Sequence, residues 1–295
     1  RIDYFQYTPD SDLRKSDKYN FAGYSAKGGL NYRLNDEHNV FVNVGYFEKA
    51  AEFGAVFPNF NNEDINADAE NQKIFSAELG YGLRTEKLAV NLNVYRTEWN
   101  DRNLSVGIQN PDGTFSAANI LGLNALHQGI ELDFEYRPAD KIRFTGMASL
   151  GNWEWANDIK GVQIFDEEQN LVETVDVYIE GLKVGASAQT TASLGMDWEV
   201  LSGTHFTVDY NYFGDLYANY NPEDRGTPDV GQAYQLPNYS TFDASLRYGF
   251  KIMDMDATLT GRMNNVFDTE YLPNNDFEYT LFQTDDNTDN GSNDT

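Results

Sequence analysis

Three groups of residues in this chain have the types and spacing to do chemistry: histidines, alternating carboxylates and clustered aromatic rings. The histidines are His38, His127 and His205, and no cysteine accompanies them. No pair stands at the short spacing that a metal site needs, and no serine lies in a nucleophile elbow. The reading is therefore no catalytic residue, no metal ligand and no cofactor. Glu131, Asp133 and Glu135 alternate with apolar residues. On a strand they would share one face, as a cation path or as an acid pair. Crowded unpaired charges are costly, so the expected arrangement is a wall paired with Arg84, Arg137, Arg143 and Arg247. The tail Asp285-Asp286-Asn287-Thr288-Asp289-Asn290-Gly291 approaches a calcium loop, but its glycine comes one place late. It reads as a solvated acidic loop, as does Asp166-Glu167-Glu168-Gln169-Asn170. Phe53, Phe57, Phe60, Tyr217, Tyr220 and Tyr234 fall in long polar connections. Exposed loop aromatics contact ligands, and they also pack loops on one another; the residues leave both open.

The elements that position these residues follow from a period of two. In Leu88-Ala89-Val90-Asn91-Leu92-Asn93-Val94-Tyr95, the aliphatic residues share one face and the asparagines the other. In Ile130–Tyr136 the apolar face is Ile130, Leu132, Phe134 and Tyr136, and the opposite face is all carboxylate. Similar stripes are Val40/Val42/Val44/Tyr46, Phe75/Ala77/Leu79/Tyr81/Leu83 and Leu194/Met196/Trp198/Val200. Phe206/Val208/Tyr210/Tyr212 and Phe242/Ala244/Leu246/Tyr248/Phe250 repeat the pattern. Helical spacings of three and four are missing from them. A soluble sheet with one wet face would alternate too. These runs, however, are about 10 to 15 residues long, against about 5 or 6 in soluble strands and about 9 to 11 for a tilted membrane strand. Connections also alternate: short turns at 35–38, 85–87, 138–141, 201–204 and 252–256, and long polar loops at 8–19, 48–72, 102–126, 156–189 and 214–238. Outer-membrane barrels have this habit, with short turns on the periplasmic side. Tyr81, Tyr136, Trp198, Tyr248 and Phe250 then form the periplasmic aromatic girdle, and Tyr46, Tyr210 and Tyr212 the outer one.

Composition agrees. The mean hydropathy of −0.59 excludes a helical membrane protein. A net charge of −26 argues against nucleic acid as a partner. Aromatic residues make up 14% of the 295, which separates the chain from acidic disordered proteins. The fold class is all-β: an antiparallel up-and-down transmembrane β-barrel, of which about eleven strands are present, the first cut short.

One stretch resembles a known family. Asn265-Val266-Phe267-Asp268-Thr269-Glu270-Tyr271 is similar to the Asn-aliphatic-Phe-Asp-x-x-Tyr signature at the penultimate strand of TonB-dependent receptors, carried here by Asn265, Phe267, Asp268 and Tyr271. Gln72–Arg102 resembles that family's mid-barrel hairpin, and Leu236-Pro237-Asn238-Tyr239 leading into Phe242-Asp243 also resembles it. The likeness is to Bacteroidota-type receptors rather than the glycan-importing SusC-like branch. It implies a barrel of about 22 strands with a plugged lumen in the bacterial outer membrane. Residues 1–271 would be the C-terminal portion of that barrel and 272–295 part of the last extracellular loop, with the closing strand and the N-terminal plug outside the chain. The implied function is import of a scarce nutrient, such as a ferric siderophore, a similar chelate or a cofactor like cobalamin. The implied partners are outer-membrane lipid, a small-molecule or chelate ligand, and TonB through the missing N-terminal part. The alternatives are a passive porin, which the strands fit equally well, and a barrel-borne enzyme or adhesin.

Overall fold

Alternating residues build strands here because each apolar side chain can leave the sheet on one side while its polar neighbours leave on the other. The computed structural model describes residues 1–8, 14–57, 62, 66–109, 113–168, 170–220, 222–228 and 231–272. Two short strands, β1 (Ile2–Tyr4) and β2 (Tyr19–Phe21), pair with each other. The main sheet begins with β3 (Ser25–Arg33), β4 (His38–Lys49), β5 (Gln72–Arg84), β6 (Leu88–Gln109), β7 (Phe115–Ala139) and β8 (Ile142–Trp155). A short helix, α1 (Phe53–Val56), lies in the connection between β4 and β5. After β8 come the hairpin strands β9 (Ile159–Phe165) and β10 (Leu171–Val177), then β11 (Thr190–Leu201) and β12 (Thr204–Gly214). Two-residue strands β13 (Leu216–Tyr217) and β14 (Gln235–Leu236) pair beyond β12, and the sheet ends with β15 (Tyr239–Ile252) and β16 (Met255–Met263).

Ten strands form an antiparallel meander in the order β16-β15-β12-β11-β8-β7-β6-β5-β4-β3. Each pairs with its neighbour along the main path, so this is the expected up-and-down architecture. The sheet is open, as a partial barrel would be. The register confirms the face assignment: Leu79, Val94, Ile130 and Leu150 are partners in one line across β5, β6, β7 and β8. That outer face is bare. Leu79 is 60% exposed, Leu150 59% and Leu246 52%. So much aliphatic surface is tolerable only against lipid. Among the described residues no helix is long and apolar enough to cross a membrane.

Three expectations needed revision. The first residues form β1, which belongs to a separate two-stranded sheet rather than to a truncated barrel strand. The long loop expected at 102–126 is mostly strand, because β6 and β7 run on as a 22- and a 25-residue ladder to Gln109 and Phe115. The 156–189 connection contains the β9–β10 hairpin, which docks on β7 through Ala117, Ala118 and Asn119. In the last two cases polar composition suggests loop, whereas a local apolar core carries strand structure beyond the membrane. That core comprises Val106, Ala118, Ile120, Leu123, Ala125, Val162, Ile164, Val177, Ile179 and Leu182, with Trp155 and Tyr220. A smaller cluster joins α1 and Phe57 to Tyr4, Tyr19, Phe21 and Leu121.

Candidate functional site

The inner face carries the polar groups. Near the short turns a cavity of about 640 Å³ is lined by Arg84, Lys87, Asn91, Asp133, Glu135 and Arg137, among others. Two contacts cross it: Arg137 donates to Glu135 at 2.7 Å and Asn91 to Asp133 at 2.7 Å. Of the four arginines expected to pair with the carboxylate wall, Arg137 alone does so among the described residues, while Arg143 lies toward Asp197. Close by, Asp197 meets His205 Nδ1 at 2.8 Å and Arg143 at 3.8 Å. His38 is elsewhere, 2.6 Å from the Tyr81 hydroxyl, and His127 lies against Trp153 with ring centroids 5.6 Å apart. The three histidines serve three separate places. His127 stands within a continuous β7 rather than at a strand start.

Where the strands pass beyond the apolar band, the inner face changes character. Trp153 and Trp155 on β8 alternate onto it, opposite His127 and Ala125 of β7. Tyr95 and Trp99 of β6 join them. Trp153 donates its indole N–H to the Tyr95 hydroxyl at 2.9 Å, and Trp99 donates to Gln72 Oε1 at 2.9 Å. Strict alternation would send Arg102 to the opposite face from Trp99. A β-bulge prevents this: Trp99 pairs with Ala125 and Arg102 with Leu123, so β6 spends one extra residue. Asp101 takes up the kink at φ 56. Its N–H donates to Asn124 Oδ1 at 3.0 Å, and its carboxylate accepts from Lys73 at 2.8 Å. Gly122, at φ 71, makes the compensating bulge on β7, and its carbonyl accepts from Asn157.

The result is a guanidinium between two indoles. Arg102 Cζ lies 4.8 Å from the Trp99 ring centroid and 5.4 Å from that of Trp155. Stacking of this kind suits arginine's flat, weakly hydrated cation. Burial lowers the Arg102 pKa, with Glu52 and Tyr220 opposing the shift. The Tyr220 ring stands edge-on to Trp155 at 5.8 Å, and burial raises its hydroxyl pKa against the pull of Arg102 and Arg225. The phenol therefore keeps its proton.

The loop aromatics named from sequence divide. Phe57 and Tyr220 are buried in the two outer cores, and Tyr217 is half-buried against one of them. Phe53 and Tyr234 present exposed rings. Phe60 lies outside the described residues, as does the tail 285–291. The residues that sequence reasoning missed are Trp99, Arg102 and Trp155. Their types were visible, but the bulge that gathers them was not.

The signature after β16 is a turn. Asn265, at φ 49, accepts from Thr269 N–H and donates to Thr269 O, both at 3.0 Å, while its own N–H donates to Asp243 at 2.8 Å. Phe267 packs edge-on to Phe242, and Tyr271 stacks on Tyr239 at 4.3 Å. Asn265, Phe267 and Tyr271 thus clamp the end of β16 onto β15.

The family model of the TonB-dependent receptor-like β-barrel matches residues 1–266. The chain belongs to this family. Membership puts it in the outer membrane of Gram-negative bacteria. Solved structures agree on the fold: the siderophore receptor PiuA from Acinetobacter baumannii superposes with a TM-score of 0.61 at 16% identity, covering 88% of this chain and 33% of that one. The ferric-catecholate import receptor Fiu from K12 E. coli gives 0.55 at 18% identity, covering 85% and 31%. The ferripyoverdine receptor of the Pseudomonas aeruginosa outer membrane gives 0.55 at 15%, covering 87% and 31%. The chain therefore spans about a third of the length of the receptors it matches. No curated protein sequence matches it.

Proposed function

We propose that this chain is part of the barrel of an energy-coupled outer-membrane receptor that imports a scarce nutrient, such as a ferric siderophore or a similar chelate. The observation that carries the reading is the inner wall of Tyr95, Trp99, Trp153, Trp155 and Arg102 beneath a folded outer core that also buries Tyr220. Such a wall binds, whereas a passive porin needs an unobstructed polar channel. Family membership and the chelate receptors among the solved relatives support the same reading. Phe53 and Tyr234, exposed in outer connections, are the loop aromatics available for first contact with the ligand.

In this reading residues 1–271 lie in the C-terminal portion of a barrel of about 22 strands; the external loop expected at 272–295 falls, but for Leu272, outside the described residues. The receptor meets lipid through its outer stripes and TonB through a part outside this chain. The test is uptake of a radiolabelled ferric chelate by cells carrying the whole receptor, before and after collapse of the proton-motive force. Accumulation that stops on collapse supports the importer. Uptake that continues unchanged is the porin's signature and defeats the proposal.

A further inference from the structure

Above the membrane, β6 and β7 continue as a ladder to which β9 and β10 add two strands. One face of this four-stranded sheet turns inward and holds the outer core through Val106, Ala118, Val162 and Ile164. The other face continues the side that meets lipid lower down. On it Phe115 and Ala117 follow each other along β7, and Ala117, Phe165 and Leu171 are partners across β7, β9 and β10. Phe165 is buried, but Phe115 and Leu171 are each 52% exposed. Val172, the bulge residue beside Leu171, is 59% exposed.

Lipid does not account for this patch. Phe115 stands about 15 residues beyond Ile130, where the outward stripe of β7 gives way to Gln128. At about 3.3 Å per residue and about 40° of tilt, that is about 40 Å above the apolar band. Single exposed apolar residues are ordinary, but three large ones on adjoining strands mark a contact surface. Charge then selects the partner. Residues 113–128 and 161–182 hold no lysine or arginine, and the second segment carries six carboxylates. Glu167 reaches the patch itself, accepting the Phe115 N–H at 2.9 Å, and Glu168 is exposed beside it. Lys160, the cation of β9, is already held by Asp176 at 3.1 Å. A second copy of this chain, at net −26, would bring like charge to the same place, and an anionic saccharide would be repelled as well.

We propose that this outward patch is a docking surface for a cationic protein, which seats an apolar segment on Phe115, Leu171 and Val172 and sets basic side chains against the carboxylates around them. The surface faces away from the inner wall, so it stands apart from the importer reading. Burial of the half-exposed side chains supplies the affinity, and the carboxylates steer the approach and fix the sign of the partner.

The test uses the whole receptor in nanodiscs of zwitterionic lipid, with empty nanodiscs as the blank. The probe is a short amphipathic peptide of leucine and lysine; leucine–glutamate and serine–lysine peptides are the controls. By fluorescence anisotropy the first should bind saturably, more weakly as salt rises, and the controls should not bind. Phe115→Ser combined with Leu171→Ser should weaken binding about 10- to 100-fold, the loss for half the burial of two large apolar side chains. Glu167→Gln combined with Glu168→Gln should weaken it and flatten its salt dependence. Gln at 167 can still accept the Phe115 N–H, so this second pair decides the matter if protease nicking of the β9–β10 hairpin shows the first to be misfolded. Binding that survives the folded variants, or equal binding of the leucine–glutamate peptide, overturns the proposal. Phe115→Cys identifies what covers the patch, since in nanodiscs it should react with a maleimide and be protected by the leucine–lysine peptide. No reaction would mean that another part of the receptor covers it. Protection by added lipopolysaccharide would mean a saccharide occupant, and a disulfide-linked pair of receptors a second copy; each of these outcomes overturns the proposal.

Discussion

Replacing Leu92 with lysine should destabilise the receptor far more than replacing its neighbour Asn91. Leu92 leaves β6 on the outer face, with Tyr81 and Leu132 as its cross-strand partners. It stands four residues above Leu88, where β6 begins. At about 3.3 Å per residue and about 40° of tilt, that is about 10 Å of depth, near the middle of an apolar band about 25 Å tall. A lysine near the midplane costs about 2–4 kcal/mol. Asn91 leaves the strand on the inner face, is exposed, and donates to Asp133 at 2.7 Å. A lysine there exchanges that hydrogen bond for an ion pair in a wet site, worth at most about 1 kcal/mol either way. The expected difference between the variants is therefore about 2–3 kcal/mol. The residues are adjacent, so depth and strand propensity nearly cancel. The assay is reversible denaturant unfolding of the whole receptor in lipid vesicles. Equal destabilisation would falsify the face assignment, and a reversed order would mean that the asparagines face lipid.

Three further outcomes follow from single contacts. Asn265→Ala should cost about 1–2 kcal/mol, because it removes both hydrogen bonds to Thr269 and leaves a Cβ residue at φ 49; Asn265→Gly should cost less, and amide exchange at Val266 and Thr269 reads both. Ile120→Ala should loosen the outer core by about 2–5 kcal/mol, since the side chain is fully buried there; protease nicking of the β9–β10 hairpin should rise while the membrane-embedded ladder stays protected, and simultaneous loss of both would contradict a separate core. Asp176 has its carboxyl lowered from 3.8 by Lys160 and then by the Gly161 N–H. A lowered acid contributes stability that is present above its ordinary value and lost as the pH falls through the lowered one. The Gly161 amide should therefore stay protected down to about pH 4 and exchange faster below it. Unchanged protection at pH 2 would refute the contact.

Much of this protein is legible in order. Period-two alternation in Leu88–Val94 and Ile130–Tyr136 determines strands with one face toward lipid, because successive side chains must leave opposite sides of a sheet. The alternation of short and long connections determines an antiparallel meander, and Asn265, Phe267, Asp268 and Tyr271 mark the family. The outer region resists the same reading. Its polar composition suggests loops, yet Ile120, Leu123, Val162 and Ile179 are spread over separate segments and become a core only when β9–β10 and the 216–236 segment fold back on β7. The loop aromatics could not be assigned for that reason, and Phe57 and Tyr220 proved to be packing residues.

Arg102 shows the limit most plainly. Counting by two from Val94 puts it on the lipid face beside Arg96, where a buried cation would make no sense. One extra residue between Trp99 and Arg102, held by Asp101 at positive φ and by Asn124 from the next strand, reverses its side. Alternation is a local property of a strand and can be read from the residues alone. A bulge depends on which partner the strand meets and on what hydrogen bonds wait there, so only the tertiary structure could turn this arginine inward between two tryptophans.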